Sequence, residues 1–156
     1  MEPTGNEATA YHEAGHAVMS LALGRPVARV SIEPKAHWLG TCAFGKAVFR
    51  PSEDWLEREM LIALAGLAAE ARHTGEDAWE GAGRDLDCVR ALALRRACGK
   101  ERQAERLQRR ALAKAEHLLA KEGNWRAVER LAAELLQYGE ISGRTARHLY
   151  EECQRE

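Results

Sequence analysis

With 156 residues, 46% of them hydrophobic, the chain has the length of one domain and enough apolar side chains to build a core, but no room for a second catalytic module. Its 23 basic and 24 acidic residues nearly cancel, which excludes a whole-chain field directed at nucleic acid or an anionic membrane. The four cysteines, Cys42, Cys88, Cys98 and Cys153, form no CxxC pair and no dense secreted framework, so a reducing, cytoplasmic setting is expected.

The first helix is expected over residues 4–23: Thr4-Gly5-Asn6-Glu7 has capping-box spacing, and Gly24 and Pro26 stop it. The segment VARVSIE (27–33) alternates apolar and polar residues, as a half-buried strand does. After Pro34, LGTCAF (39–44) offers a return strand that could extend to Phe49, making a small antiparallel sheet. Pro51-Ser52 opens a helix through about His73, with Trp55, Met60, Ala63, Leu64, Leu67 and Ala71 mostly at three- and four-residue spacing.

A loop at 74–83, rich in glycine and acid, leads to a helix that starts near Asp85 and ends before Gly99. The remainder reads as helices over 100–122 and 125–138 with a break at Gly123-Asn124, a turn at Gly139 to Gly143, and a last helix from Ser142. Apolar runs such as MLIALAGLAA (60–69) reach only half of the roughly 20 residues a membrane span needs, and the N-terminus lacks a signal core. The expected fold class is mainly α, a helical domain with a small antiparallel sheet or hairpin after the first helix. One domain is expected over 1–156, with a metal-site half at 1–99 and C-terminal helices at 100–156.

The stretch YHEAGHAV (11–18) carries the chemistry. Residues four apart share a helix face, so His12 and His16 can converge on one ion, and Glu13, about 100° round the helix, can reach a water on it. A zinc ion held by two imidazoles and a carboxylate keeps a position for water, and Glu13 would take that water's proton. Gly15 and Ala14 keep this surface thin, which suits close approach by another segment. The pattern also arises by accident among six histidines and many glutamates, so support must come from a third ligand.

Only Asp54, Asp77, Asp85 and Asp87 are aspartates, and Asp85 stands at a helix start, where it could equally be a routine N-cap. Glu70, amid Ala68, Ala69 and Ala71, needs a partner if buried, such as the second nitrogen of a ligand histidine.

These residues resemble the zinc peptidase domain of the FtsH-type AAA+ proteases. AYHEAGHAV (10–18) looks like that family's metal helix, VSIEPKAHWLGT (30–41) its strand and hairpin, ALAGLAAEA (63–71) its glycine-containing helix, and GAGRDLDCVRALA (81–93) its GA-x-N-D-L-x-x-A-T segment. LLAKEGNWRAVERLAAELLQYGEISG (118–143) is similar to its closing helices. The resemblance implies that His12, His16 and Asp85 bind zinc, that Glu13 is the catalytic glutamate, and that Glu70 stands behind a ligand. It overturns the N-cap reading of Asp85.

Ala65, Leu67, Ala36 and Val89-Arg90 depart from the family's usual residues, and none of them is a proposed ligand. Family members carry transmembrane helices and an ATPase ahead of the peptidase, whereas this sequence contains no Walker A loop. The expected function is therefore a zinc metalloendopeptidase acting on unfolded or flexible polypeptides, with a separate ATPase as a partner. Ring-like homo-oligomers are implied by the resemblance, although the family's ring is partly built by its ATPase.

Two other readings compete with the peptidase. A catalytically silent zinc-binding adaptor would not need Glu13, and a structural zinc site would need a fourth ligand, for which His37 is the candidate. Substrate is expected along a sheet edge at 30–33, where main-chain pairing binds peptides. The basic run at 100–121 is read as a solvated, salt-bridged face and not as a nucleic-acid site. His73, His117 and His148 are assigned no chemistry; Trp79 could line a cleft or pack in the core.

Overall fold

The computed structural model describes residues 5–33, 41–44, 54–76 and 83–156. The elements run α1 (Gly5–Ala22), β1 (Val27–Ser31), β2 (Thr41–Phe44), α2 (Trp55–Thr74), α3 (Gly83–Arg96), α4 (Glu101–Ala120), α5 (Glu122–Tyr138), β3 (Glu140–Ser142) and α6 (Gly143–Arg155). The fold is mainly α with one small antiparallel sheet, as the sequence pattern predicts. Thr4, Pro51, Ser52, His37 and Trp79 lie outside the described residues, and with them the capping box, the expected start of the second helix and the candidate fourth ligand.

Helix α2 lies at the centre, buried at Arg58 and from Met60 to Ala69 and packed by α1, α3 and α4. Its apolar residues surround the helix, as expected of a buried core helix. The Asp54 carboxylate caps it by accepting the Glu57 N–H at 3.2 Å, and Gly75, at φ 77°, ends it by donating to Ala71 O at 2.8 Å. Against α2, α1 buries Ala10, Ala14, Ala17 and Val18 completely, at helical spacing. The pair approaches closely because a Cβ on Gly15 would stand 2.5 Å from Ala65 O and 2.6 Å from Ala69 Cβ. Thus α2 is the segment that the thin surface of α1 accommodates.

Helix α5 closes the other side of α1 with Ala127, Val128, Leu131, Ala132 and Leu135, all fully buried. The break before it falls at Lys121, not Gly123-Asn124: Lys121 leaves helical geometry at ψ 134°, and Asn124 sits inside the next helix. There its Nδ2 donates to Leu118 O at 2.8 Å, satisfying a carbonyl at the end of α4.

The sheet order is β2-β1-β3, with both pairings antiparallel. Strand β3 replaces the turn expected at Gly139 to Gly143, pairing Ile141 with Val30 and Glu140 with Ser31. Ile32 N–H also donates to Gly139 O at 2.9 Å. Strand β1 is therefore central and bonded on both sides at Val30 and Ser31, which overturns these two residues as an open edge for substrate. Three residues carry too little periodicity to announce a strand, and partner pairing decides the matter.

The basic run also differs from expectation. Among the described residues Lys114 pairs with Glu57 on α2, but Arg102, Arg106, Arg109 and Arg110 have no carboxylate partner. The face is therefore solvated, with Lys114–Glu57 its one ion pair among the described residues. No helix among the described residues is long and apolar enough to cross a membrane.

Candidate metal centre

Three helices bring the sequence-predicted residues together: α1 supplies His12, Glu13 and His16, α2 supplies Glu70, and α3 supplies Asp85 from its first turn. The imidazoles of His12 and His16 stand edge to face with centroids 4.7 Å apart, and their Nε2 atoms are 3.0 Å apart. Asp85 Oδ2 lies 2.8 Å from His12 Nε2 and 3.2 Å from His16 Nε2. Asp85 thus faces both rings instead of capping its own helix.

The second nitrogen of each ring fixes what the first can do. His16 Nδ1 is 2.7 Å from Ile62 O, and a carbonyl only accepts, so this nitrogen carries the proton. His12 Nδ1 is 2.9 Å from Glu70 Oε2 and donates in the same way. In the neutral rings both Nε2 atoms then present lone pairs to each other and to the Asp85 carboxylate.

Three electron-rich atoms in a triangle of edge 2.8 to 3.2 Å repel one another unless a cation or shared protons lie among them. Tetrahedral zinc with nitrogen and oxygen ligands at about 2.0–2.1 Å sets those ligands about 3.3 Å apart, close to this triangle. The donor set therefore fits such an ion.

Protonation reflects the same demand. Burial pulls the His12 imidazole down, but hydrogen bonds to Asp85 and Glu70 outweigh it and raise the ring to about 10. Burial likewise pushes the Asp85 carboxyl up, and hydrogen bonds from His12 and His16 reverse this, holding it well below the usual carboxylate range.

Glu13 is only 6% exposed, and burial raises its carboxyl against the opposing pull of the two histidines. Its Oε2 is buried without a hydrogen-bond partner. A Glu13 oxygen and one nitrogen of each histidine lie within 4.8 Å of one another, a looser set than the one completed by Asp85. Glu13 thus borders the triangle with a free acceptor oxygen.

Gly66 was missed in the sequence. A Cβ there would stand 2.5 Å from His16 Nε2 and 2.8 Å from His12 Nε2, so its bare Cα makes the floor on which both rings converge. The available signal was a glycine inside an alanine-rich helix, where it costs about 1 kcal/mol relative to alanine and needs a local reason.

Two histidines one turn apart, a buried glutamate after the first and a carboxylate from a distant helix define a helical protein of the HExxH class. Within that class, the model of peptidase family M41 matches residues 1–99, and the chain belongs to this family. It is similar to the ATP-dependent zinc metalloprotease FtsH of Acidothermus cellulolyticus, 39% identical over 97 residues, covering 60% of this chain and 14% of the relative. The FtsH of Thermotoga maritima is 36% identical over 107 residues, 63% of this chain and 17% of its own length. A chloroplastic FTSH of Capsicum annuum is 39% identical over 80 residues, 44% of this chain and 11% of its own. The matched region is therefore a small part of each relative.

Proposed function

We propose that the chain is a zinc metalloendopeptidase that hydrolyses unfolded or flexible polypeptides. The observation that carries the reading is the convergence of His12 Nε2, His16 Nε2 and Asp85 Oδ2 beside a buried carboxylate with a free oxygen. His12, His16 and Asp85 would hold the ion, Glu70 and Ile62 O fixing the histidine tautomers from behind. Zinc bound there supplies Lewis acidity, making water acidic enough to deprotonate near neutrality and polarising the scissile carbonyl.

Glu13 accepts a proton from the attacking water as its oxygen bonds to the carbonyl carbon. It then delivers that proton to the amide nitrogen as the C–N bond breaks, leaving a carboxylate and an amine. Burial suits Glu13 to both steps, because a carboxyl raised above its ordinary range holds the proton more readily between them.

The chain is proposed to act as one domain over 1–156, the metal-site half at 1–99 leaning on the helices of 100–156. The names of the relatives include ATP dependence, and a separate ATP-driven unfoldase is proposed as a partner that delivers extended substrate. A homo-oligomer is proposed on the same resemblance and is tested by light scattering.

The test incubates zinc-loaded chain with unfolded casein, for the wild type and Glu13→Gln. Cleavage by the wild type alone, with equal zinc in both, supports the peptidase. Zinc in both without cleavage would move the chain to the adaptor reading, and cleavage by Glu13→Gln would remove that residue from the chemistry.

A further inference from the structure

The charge of this chain is balanced only in sum. Residues 83–121 contain eleven lysines and arginines against five acidic residues, a net of +6, while the other residues carry −7. This basic segment folds as the α3–α4 hairpin, and Arg90, Arg102, Arg106, Arg109 and Arg110 on it are exposed. None of the five has a carboxylate partner among the described residues, and all five side chains are exposed to solvent.

Between α2, α3 and α4 opens a cavity of about 310 Å³. Leu64, Leu86, Val89 and Leu112 wall it, and Glu105, Gln108 and Arg109 form the rim. That volume lies at the small end of ligand pockets, about 300–1,000 Å³, and suits one or two side chains. Helical spacing places Arg102 and Arg106 beside Arg109 on the same flank of α4. Among the described lining residues Glu105 is the single acidic group, outnumbered by this arginine flank.

We propose that the α3–α4 hairpin is a docking surface for an acidic polypeptide segment bearing one bulky aliphatic residue. The aliphatic side chain fills the cavity, and carboxylates on either side meet Arg102, Arg106 and Arg109. Apolar walls favour a peptide over nucleic acid, since among the described residues none of the lining side chains is aromatic and gives a base a ring to stack on. The surface is distinct from the metal triangle, although Leu86 and Val89 belong to the same helix as Asp85. This inference depends neither on zinc nor on cleavage.

The test is fluorescence anisotropy of the whole chain with a labelled dodecapeptide of aspartates and serines around a central leucine. Binding is expected to weaken as salt rises, and to weaken roughly tenfold when serine replaces the leucine, because the cavity then loses its occupant. Arg102→Glu/Arg106→Glu should weaken it by about tenfold too, with an unchanged helical CD spectrum because both side chains are exposed. Gln108→Trp, which fills the mouth without altering charge, should also weaken the leucine peptide and leave the serine peptide unaffected.

Absence of binding, or equal binding of the leucine and serine peptides, would overturn the proposal. So would an oligouridylate that binds tighter than the acidic peptide. Self-association of the chain that Arg102→Glu/Arg106→Glu abolishes would assign the surface to a second copy instead, and equally defeat it.

Discussion

Replacing Gly66 with alanine probes the centre without substituting a proposed ligand. The new Cβ would stand 2.5 Å from His16 Nε2 and 2.8 Å from His12 Nε2, against a normal contact of about 3.5 Å. His16 is anchored behind by Ile62 O at 2.7 Å and His12 by Glu70 at 2.9 Å, so neither ring can retreat without losing its hydrogen bond. The rings must therefore splay, opening the triangle. In the metal-free chain this strain, about 1–3 kcal/mol for an overpacked site, is offset by about 1 kcal/mol of added helix propensity.

The metal-bound chain has no such compensation. A tenfold to hundredfold loss of zinc affinity, the usual range for a disturbed outer shell, equals about 1.4–2.7 kcal/mol of lost ligand-linked stability. Thermal unfolding with and without zinc, together with competition against a chromophoric chelator, separates the two effects. The expected result is a small change in the metal-free Tm and a large reduction in the increment that zinc adds. An increment equal to the wild type's would refute the reasoning, since it would mean that the rings do not converge over Gly66.

Other perturbations separate packing from metal binding. Gly15→Ala should destabilise the chain by about 1–3 kcal/mol with or without zinc, because its Cβ would meet Ala65 O at 2.5 Å and force α1 from α2; calorimetry should show Tm lower by about 2–4 °C per kcal/mol. Glu70→Ala should weaken zinc binding about 10–100-fold, and Glu70→Gln, which can still accept from His12 Nδ1, should recover part of it in a chelator titration. Asp85→Ala should reduce bound zinc in metal analysis while leaving helical content unchanged, since Asp85 lies 2.8 Å from His12 Nε2 without capping its helix.

Because His12 is raised to about 10 in the metal-free chain, it is protonated at neutral pH, and zinc must displace that proton. Calorimetry in buffers of different ionisation enthalpy should register about one proton released per ion, with affinity falling as pH falls. By the same linkage, the protonated ring stabilises the metal-free fold below its ordinary value of 6.5, and this contribution is lost as pH rises through about 10.

The histidine pair of α1 was legible because a local rule governs it: four residues make about one turn, and His12 and His16 need no knowledge of the remaining chain to share a face. Asp85 was not legible in this way. Its spacing from a helix start fits a cap as well as a ligand, and only resemblance to a family chose between them before the structure placed it against both rings. Gly66 carries only the signal of a glycine within a helix, and the Ile62 carbonyl none, because the contacts they make depend on how deeply α1 settles onto α2.

The sheet shows the same division. The alternation in VARVS announced β1, but the pairing that makes it central comes from Glu140 to Ser142, far along the chain. Strand order is a long-range property, and the expected open edge failed on it. The arginines of α4 likewise sit within helical reach of Glu101 and Glu105, yet spacing permits an ion pair without enforcing one.

The central claim is that His12, His16 and Asp85 together hold one zinc ion, and a crystal structure of the zinc-loaded chain with anomalous data at the zinc edge tests it most directly. The account predicts one peak per chain, about 2.0–2.2 Å from both Nε2 atoms and an Asp85 carboxylate oxygen, with Glu13 outside the ligand shell. A peak elsewhere, or one at the histidines with Asp85 turned away, would contradict it.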